Sequence, residues 1–173
     1  MSQETAAPAA NQMAAFAGKY LTFCLADEIY GLPILKVQEI IRLMKITRVP
    51  KAPDFVLGVV NLRGKVIPII NMRLKFGLKT AEDTELTCII VVEVVQKGIA
   101  ITLGVVVDEV SEVRNLAAEQ LSKTPPMGAS VDTEFILGLG RLENNVVMLL
   151  DIDKAFSYQE LSSIKSGSQL QEA

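Results

Sequence analysis

The sequence contains no histidine and no tryptophan, and only two cysteines in 173 residues. Histidine is the side chain that most often serves as general base, proton shuttle or metal ligand near neutral pH, so its absence excludes many classes of enzyme. Cys24 and Cys88 are far apart, and no CxxC pattern is present to hold a metal. We therefore expect no catalytic residues, no metal site and no cofactor.

Long apolar runs and a strong excess of one charge are also missing. The stretch from Cys88 to Val95 is interrupted by Glu93, so no run approaches the roughly 18–20 residues that a membrane helix needs. The formal net charge is −3 and the 17 basic residues are dispersed, which argues against a general nucleic-acid binder. Without a secretory signal pattern or a cysteine framework, the chain is expected to be cytoplasmic.

What is present is apolar content, at 50% of residues, which is enough for a substantial core. We expect residues 1–18, rich in Ala, Gln, Ser and Pro, to form a flexible leader. Residues 19–156 are expected to form one domain, and residues 157–173 a short helix and a loose tail. Short runs rich in Val, Ile, Leu and Phe between turn signals predict strands at residues 20–25, 55–62, 65–71, 88–95, 99–107, 135–142 and 145–152.

Other segments predict local structure of a different kind. Residues 34–44 predict a turn leading into a strand, because the spacing of their apolar residues is helical but Val and Ile favour strand. Helical pieces are predicted at residues 116–121 and 151–164, the second with Asp151 or Asp153 as its N-cap. The predicted fold class is all-β, mainly strands with short helices.

An internal repeat organises these elements. Residues 55–76 align without a gap on residues 135–156, at an offset of 80 that pairs Gly58 with Gly138. Upstream, residues 30–40 align on residues 103–113 at an offset of 73. Two all-β units of this size predict two small five-stranded barrels packed together, with a groove between them where a partner can dock.

Four segments then carry a family resemblance: YGLPILKVQEII, FVLGVVNLRGKVIPIINMRLKFG, GVVVDEVSEV and DTEFILGLG, in that order. Together they resemble the CheW family of chemotaxis coupling proteins, from about Tyr20 to Phe156. The resemblance implies two SH3-like five-stranded β-barrels and a non-catalytic scaffold. It also implies two partners, the cytoplasmic tip of chemoreceptors and the regulatory domain of the histidine kinase CheA. The chain is then expected to be a monomer alone that assembles in receptor arrays at the inner face of the membrane, without inserting into it.

The resemblance also implies receptor-binding residues. Arg63 precedes Gly64 in a predicted hairpin turn, which leaves its guanidinium exposed and able to bind a carboxylate through two hydrogen bonds. Val37, Glu39 and Val113 match receptor-facing positions of the family. The alternatives are a solvated hairpin arginine, a core valine at position 37 and a solvated strand charge at position 39.

Kinase contact is assigned to Val66 and Ile67. Their run is apolar on both alternations and contains Pro68, which cannot donate to a ladder and therefore indicates an edge or a bulge. The alternative for both residues is ordinary barrel core.

Two further functions stay open on the sequence alone. A small-molecule-binding or RNA-binding β-barrel is the main alternative, although nine Phe and Tyr residues without a Trp provide few stacking platforms. The second open possibility is that the protein is a CheW-family scaffold that acts in a related motility pathway rather than in chemotaxis.

Overall fold

The computed structural model describes residues 13–125 and 134–164, and these form eleven strands in two sheets. The first sheet contains β1 (Gly18–Leu25), β2 (Glu28–Pro33), β8 (Glu109–Leu116), β9 (Leu121–Ser122), β10 (Ile136–Leu142) and β11 (Asn145–Leu150), in the order β8-β1-β2-β11-β10-β9. The second contains β3 (Val37–Arg42), β4 (Val56–Leu62), β5 (Lys65–Asn71), β6 (Cys88–Gln96) and β7 (Ile99–Val107), in the order β3-β6-β7-β5-β4. The predicted all-β class with two barrels is confirmed.

Helical structure is short in the described residues. It comprises the helical residues 13–14, 3₁₀ turns at Ile34–Lys36 and Ala118–Gln120, one α-helical turn at Met72–Lys75, and a helix at residues 158–164. The helix predicted over residues 116–121 is therefore wrong except for its 3₁₀ turn, because the chain stays in β8 as far as Leu116.

The helix predicted to begin near residue 151 begins later than expected. Ser157 caps it instead, since its Oγ accepts a hydrogen bond from the Glu160 amide at 3.0 Å while Glu160 Oε1 accepts one from the Ser157 amide at 2.7 Å. This reciprocal pair satisfies two amides that the first helical turn leaves free. Asp151 accepts hydrogen bonds from the next turn, at the amides of Asp153 and Lys154.

Neither barrel is built from one repeat alone. The first repeat supplies β1 to β5, and the second supplies the equivalent strands β6, β7, β8, β10 and β11. The hairpin β1-β2 pairs with strands of the second repeat, and the hairpin β6-β7 pairs with strands of the first. Both sheets consequently have the same internal order, in which the first two strands of each repeat have been exchanged.

The parallel pairings show how closely the two sheets correspond. Gly31 in β2 lies opposite Leu149 in β11, and Gly104 in β7 lies opposite Ile69 in β5. These are equivalent positions under the two repeat offsets. A Cβ on Gly104 would lie 2.8 Å from the Ile69 side chain, and one on Gly31 3.0 Å from that of Leu149. Both glycines therefore permit a close approach that a larger residue would obstruct.

Buried apolar side chains form three clusters. The largest takes residues from both sheets, including Phe23 and Leu32 from the first and Ile90 and Leu103 from the second, so it lies between the barrels. The other two belong to single sheets and fill the individual barrels. Each fully buried Leu, Ile or Phe contributes about 1.5–3 kcal/mol, so the shared cluster stabilises the packing of the two barrels against each other.

The ends of the described chain also pack on these cores. Met13 and Phe16, within the expected leader, join the cluster of the first barrel, and the Tyr20 hydroxyl donates to the Phe16 carbonyl at 2.6 Å. Leu161 and Ile164 of the last helix join the shared cluster. The remainder of the expected leader, residues 1–12, and of the expected tail, residues 165–173, lies outside the described residues.

Candidate partner-binding surface

Arg63 lies at the tip of the β4-β5 hairpin. Arg63 and Gly64 both have positive φ, at +53° and +85°, as the two central residues of a tight hairpin turn require. The Asn61 side-chain oxygen accepts a hydrogen bond from the Gly64 amide at 2.9 Å, which holds the turn. The arginine side chain is 73% exposed, so the exposed guanidinium expected from the sequence is present.

Arg63 makes an ion pair with Glu39, and the structure thereby brings two of the expected receptor-binding residues together. Arg63 Nη1 donates to Glu39 Oε2 at 2.8 Å. Glu39 is in β3 and Arg63 follows β4, which are the two edge strands of the second sheet. The ion pair therefore connects the two edges of the barrel. The other carboxylate oxygen, Oε1, is buried and has no hydrogen-bond partner among the described residues.

This arrangement leaves the arginine available to a partner. Arg63 is the exposed member of this ion pair, and an ion pair with one exposed member contributes only about 0–1 kcal/mol. The guanidinium has five N–H donors in a fixed plane. It can also bind a partner carboxylate while one N–H group stays on Glu39.

Val37 and Val113 lie on different sheets. Val37 opens β3 in the second sheet, is half-buried and packs against the shared core. Val113, on the edge strand β8 of the first sheet, is 48% exposed. Val113 is therefore accessible on the other barrel from the Arg63–Glu39 pair, while Val37 combines core packing with partial exposure.

Ile40 is a candidate that the sequence analysis missed. It is 45% exposed and lies directly opposite Ile90 of the shared core, so the two side chains are on the same face of the sheet. Ile40 consequently extends the apolar surface of the core to the exposed edge of β3. The consecutive pair Ile40-Ile41 was the available signal, because neighbours on a strand point to opposite faces.

The assignment of Ile67 to a kinase-binding surface is corrected by the structure. Its side chain is only 4% exposed and packs inside the second barrel with Val60, Ile69 and Ile89. The alternative, ordinary barrel core, is the one the structure supports for this residue. Val66 points to the opposite face and is half-buried, so it stays a candidate contact.

The expectation that Pro68 marks an edge is wrong, since β5 lies between β7 and β4 in the second sheet. Pro68 lies opposite Val59 of β4, whose amide and carbonyl instead exchange hydrogen bonds with Thr47 on the outer side, each at 2.8 Å. The backbone nitrogen of Pro68, which has no hydrogen to donate, therefore faces away from β4 and toward β7. β5 pairs with β7 from Ile69 to Asn71, so Pro68 lies directly before this paired part of the strand.

Asp108 has a structural partner. Arg73 donates to both of its oxygens, from Nε at 2.9 Å and from Nη2 at 2.5 Å, and the Ala26 amide donates at 2.8 Å. The hydrogen bonds from Arg73, aided by that amide and by the arginine's charge, lower the pKa of the Asp108 carboxyl. Within the described residues no cluster of three or more His, Cys, Asp or Glu is placed to hold a metal ion.

Comparison with known proteins identifies the family. A family model described as the CheW-like domain matches residues 19–160. The chain belongs to the CheW family. It is 40% identical over 146 residues to the chemotaxis protein CheW of Klebsiella aerogenes, covering 84% of this chain and 86% of that protein. It is also 32% identical to the chemotaxis protein CheW of Treponema pallidum, covering 83% and 85% of the two chains.

A solved structure agrees with this assignment. The crystal structure of the scaffolding protein TtCheW from Thermoanaerobacter tengcongensis matches with a TM-score of 0.72 at 30% identity, over 83% of this chain and 95% of that one. This CheW-family chain is thus a chemotaxis scaffold protein of two packed β-barrels. No helix among residues 13–125 and 134–164 is long and apolar enough to cross a membrane.

Proposed function

We propose that this protein couples chemoreceptors to the histidine kinase CheA at the inner face of the membrane, and that it does so by binding alone, without catalysis. The observation that carries the proposal is the match to the CheW-like domain from residue 19 to residue 160, which spans both barrels. A scaffold that holds kinase and receptor at once raises their effective concentration for each other and lets the state of one influence the other.

The receptor-facing surface in this proposal consists of Val37, Glu39, Arg63 and Val113. The exposed Arg63 guanidinium supports it, because a charge at a hairpin tip is accessible to a docking helix and is already oriented by Glu39. Val113 supplies exposed apolar area on the other barrel. Val66 stays a proposed kinase contact, since its side chain is half-buried rather than part of the closed barrel core.

The test compares Arg63→Ala with Glu143→Ala. Glu143 is the repeat equivalent of Arg63, is exposed, and has φ of +54° against +53° for Arg63. Both variants therefore place alanine in the same strained turn conformation, and only the first removes the proposed receptor contact. Co-sedimentation with receptor-bearing membranes measures binding, and circular dichroism measures the melting temperature.

We expect Arg63→Ala to reduce co-sedimentation strongly while Glu143→Ala binds like the wild type. Both variants should melt within a few degrees of each other, because the ion pair lost with Arg63 contributes only about 0–1 kcal/mol. Equal binding of the two variants would remove Arg63 from the receptor surface. A wild-type protein that ignores both receptors and CheA from its own host would reject the proposed function.

A further inference from the structure

The exchanged strands require the chain to cross from one sheet to the other at two similar places. The 3₁₀ turn Ile34–Lys36 connects β2 of the first sheet to β3 of the second. Asp108 alone connects β7 of the second sheet to β8 of the first. The strands that follow these crossovers are β3, which carries Val37 and Glu39, and β8, which carries Val113. The geometry of each crossover therefore determines where its strand starts and where these side chains lie.

At the first crossover, Lys36 is held by Asp153, which lies just after β11. Lys36 Nζ is 2.9 Å from Oδ1 and 2.8 Å from Oδ2 of Asp153. The same Oδ1 accepts a hydrogen bond from the Val95 amide at 2.8 Å, and Gln96 Nε2 donates to the Asp153 carbonyl at 2.8 Å. The first crossover ion pair, Lys36–Asp153, therefore joins the crossover, the end of β6 and the segment after β11.

At the second crossover, Asp108 is held by Arg73, which lies just after β5. In addition to the two hydrogen bonds from Arg73, Asp108 Oδ2 accepts one from Ala26, in the turn between β1 and β2. Arg73 also donates through Nη1 to the Lys79 carbonyl at 2.9 Å. The second crossover ion pair, Arg73–Asp108, joins the crossover, the β1-β2 turn and the segment after β5.

The two ion pairs occupy corresponding places with opposite charges. Arg73 and Asp153 are equivalent at the repeat offset of 80, and one is a base where the other is an acid. The charges at the crossovers are reversed as well, since the first crossover carries the base Lys36 and the second carries the acid Asp108. All four side chains are 18–30% exposed, so solvent and salt screen these pairs less than the exposed Arg63–Glu39 pair.

We propose that Lys36, Asp153, Arg73 and Asp108 are positioning residues that fix β3 and β8 relative to each other, and with them the receptor-facing residues of the two barrels. This inference rests on the proposed receptor-binding function. The shared apolar core holds the barrels together, but apolar packing is not directional. The ion pairs add direction, because each one ties a crossover to a turn or strand end of the partner repeat.

The first readout is the distance between the barrels, measured by pulsed electron paramagnetic resonance. Spin labels are attached at Lys65→Cys in the second sheet and Asn145→Cys in the first, two exposed and repeat-equivalent strand starts, after Cys24 and Cys88 have been replaced. The variants are Lys36→Met and Arg73→Met, alone and combined, which keep most of each apolar stem and remove its charge. Circular dichroism confirms that each variant is folded at the temperature of measurement.

The second readout is receptor affinity, from co-sedimentation across a concentration series of the unlabelled variants. Lys36→Arg is the conservative variant, since it retains a donor for Asp153. Lys19→Met is the control, because Lys19 is an exposed lysine in β1 that makes no ion pair among the described residues. We expect the combined variant to broaden the distance distribution and to lower receptor affinity about fivefold or more, the lower end of couplings between sites. Lys36→Arg and Lys19→Met should keep both wild-type values.

An unchanged distance distribution in the combined variant would overturn the positioning role. A broadened distribution with wild-type receptor affinity would overturn its connection to the receptor surface. If the wild-type protein does not bind receptors at all, the proposed function fails, while the distance measurement still decides whether the ion pairs fix the two barrels.

Discussion

Replacing Gly58 with alanine, which adds a single methyl group, should lower the stability of the second barrel more than the same change at its other glycines. It lies in β4 with φ of +148°, and a Cβ there would be 2.1 Å from the Thr47 carbonyl oxygen and 2.7 Å from the Thr47 carbonyl carbon. Both are backbone atoms, so they cannot move aside as a side chain could. Thr47 pairs with Val59 along the outer side of β4, through two backbone hydrogen bonds of 2.8 Å each.

The expected cost of Gly58→Ala follows from this geometry. Relieving the clash moves Thr47 away and breaks two backbone hydrogen bonds, at about 1 kcal/mol each. Alanine held at this φ adds about 1–3 kcal/mol of backbone strain. The free energy of unfolding should therefore fall by about 3–5 kcal/mol, which lowers Tm by roughly 10 °C for a chain of this length.

Gly77→Ala is the matched control, measured beside it by thermal and urea unfolding. Gly77 has φ of +73° but nothing within 4 Å of a Cβ, so alanine there costs only about 1–2 kcal/mol of strain. Gly138→Ala is the intermediate case, since a Cβ at this repeat equivalent of Gly58 would lie 2.9 Å from the Ser122 carbonyl. The expected order of destabilisation is Gly58 first, with the other two milder. If Gly58→Ala melts no lower than Gly77→Ala, the close approach of the Thr47 backbone to Gly58 does not determine the cost of the substitution.

Three further changes test other parts of the structure. The hydrogen bonds from Arg73 hold the pKa of Asp108 below its ordinary value of 3.8, so the stability they provide is present above that value and is lost as the pH falls through the folded-state pKa. Asp108→Asn should therefore flatten the acid limb of a stability–pH profile, and a limb as steep as in the wild type would contradict this. Ile67→Ala should cost about 2–5 kcal/mol as a core truncation, against a much smaller loss for Val66→Ala in urea unfolding; similar losses would mean that Ile67 is not core. Ser157→Ala should cost about 1 kcal/mol by removing the helix cap, and an unchanged Tm would show that the cap is dispensable.

The strands and the repeat were predictable because both leave direct traces in the sequence. The runs at residues 65–71 and 99–107 correspond to β5 and β7 without change of bounds. The predicted turn into a strand over residues 34–44 is confirmed by the 3₁₀ turn and β3. β8 was not predicted, since exposed polar residues such as Glu112 interrupt its apolar pattern. β2, a strand of six residues, was not predicted either.

The exchange of hairpins between repeats could not be predicted from periodicity. Residue patterns show which face of a strand is buried but not which strand lies beside it, and both repeats have nearly the same pattern. Ile67 was assigned to the surface because a strand that is apolar on both faces does not show which face is the barrel interior. The ion pair between Arg63 and Glu39 depends on the two sheet edges meeting, which only the folded chain shows.

If this CheW-family protein couples receptors to CheA as proposed, receptor state should reach the kinase only through it, and CheA autophosphorylation measures this. CheA from the same host is assayed with receptor-bearing membranes, with and without this protein, and with and without a receptor ligand. We expect kinase activity to change with receptor state only when the protein is present, and Arg63→Ala to weaken this dependence while Glu143→Ala preserves it. Kinase activity that follows receptor state equally well without the protein would show that the protein does not couple the two.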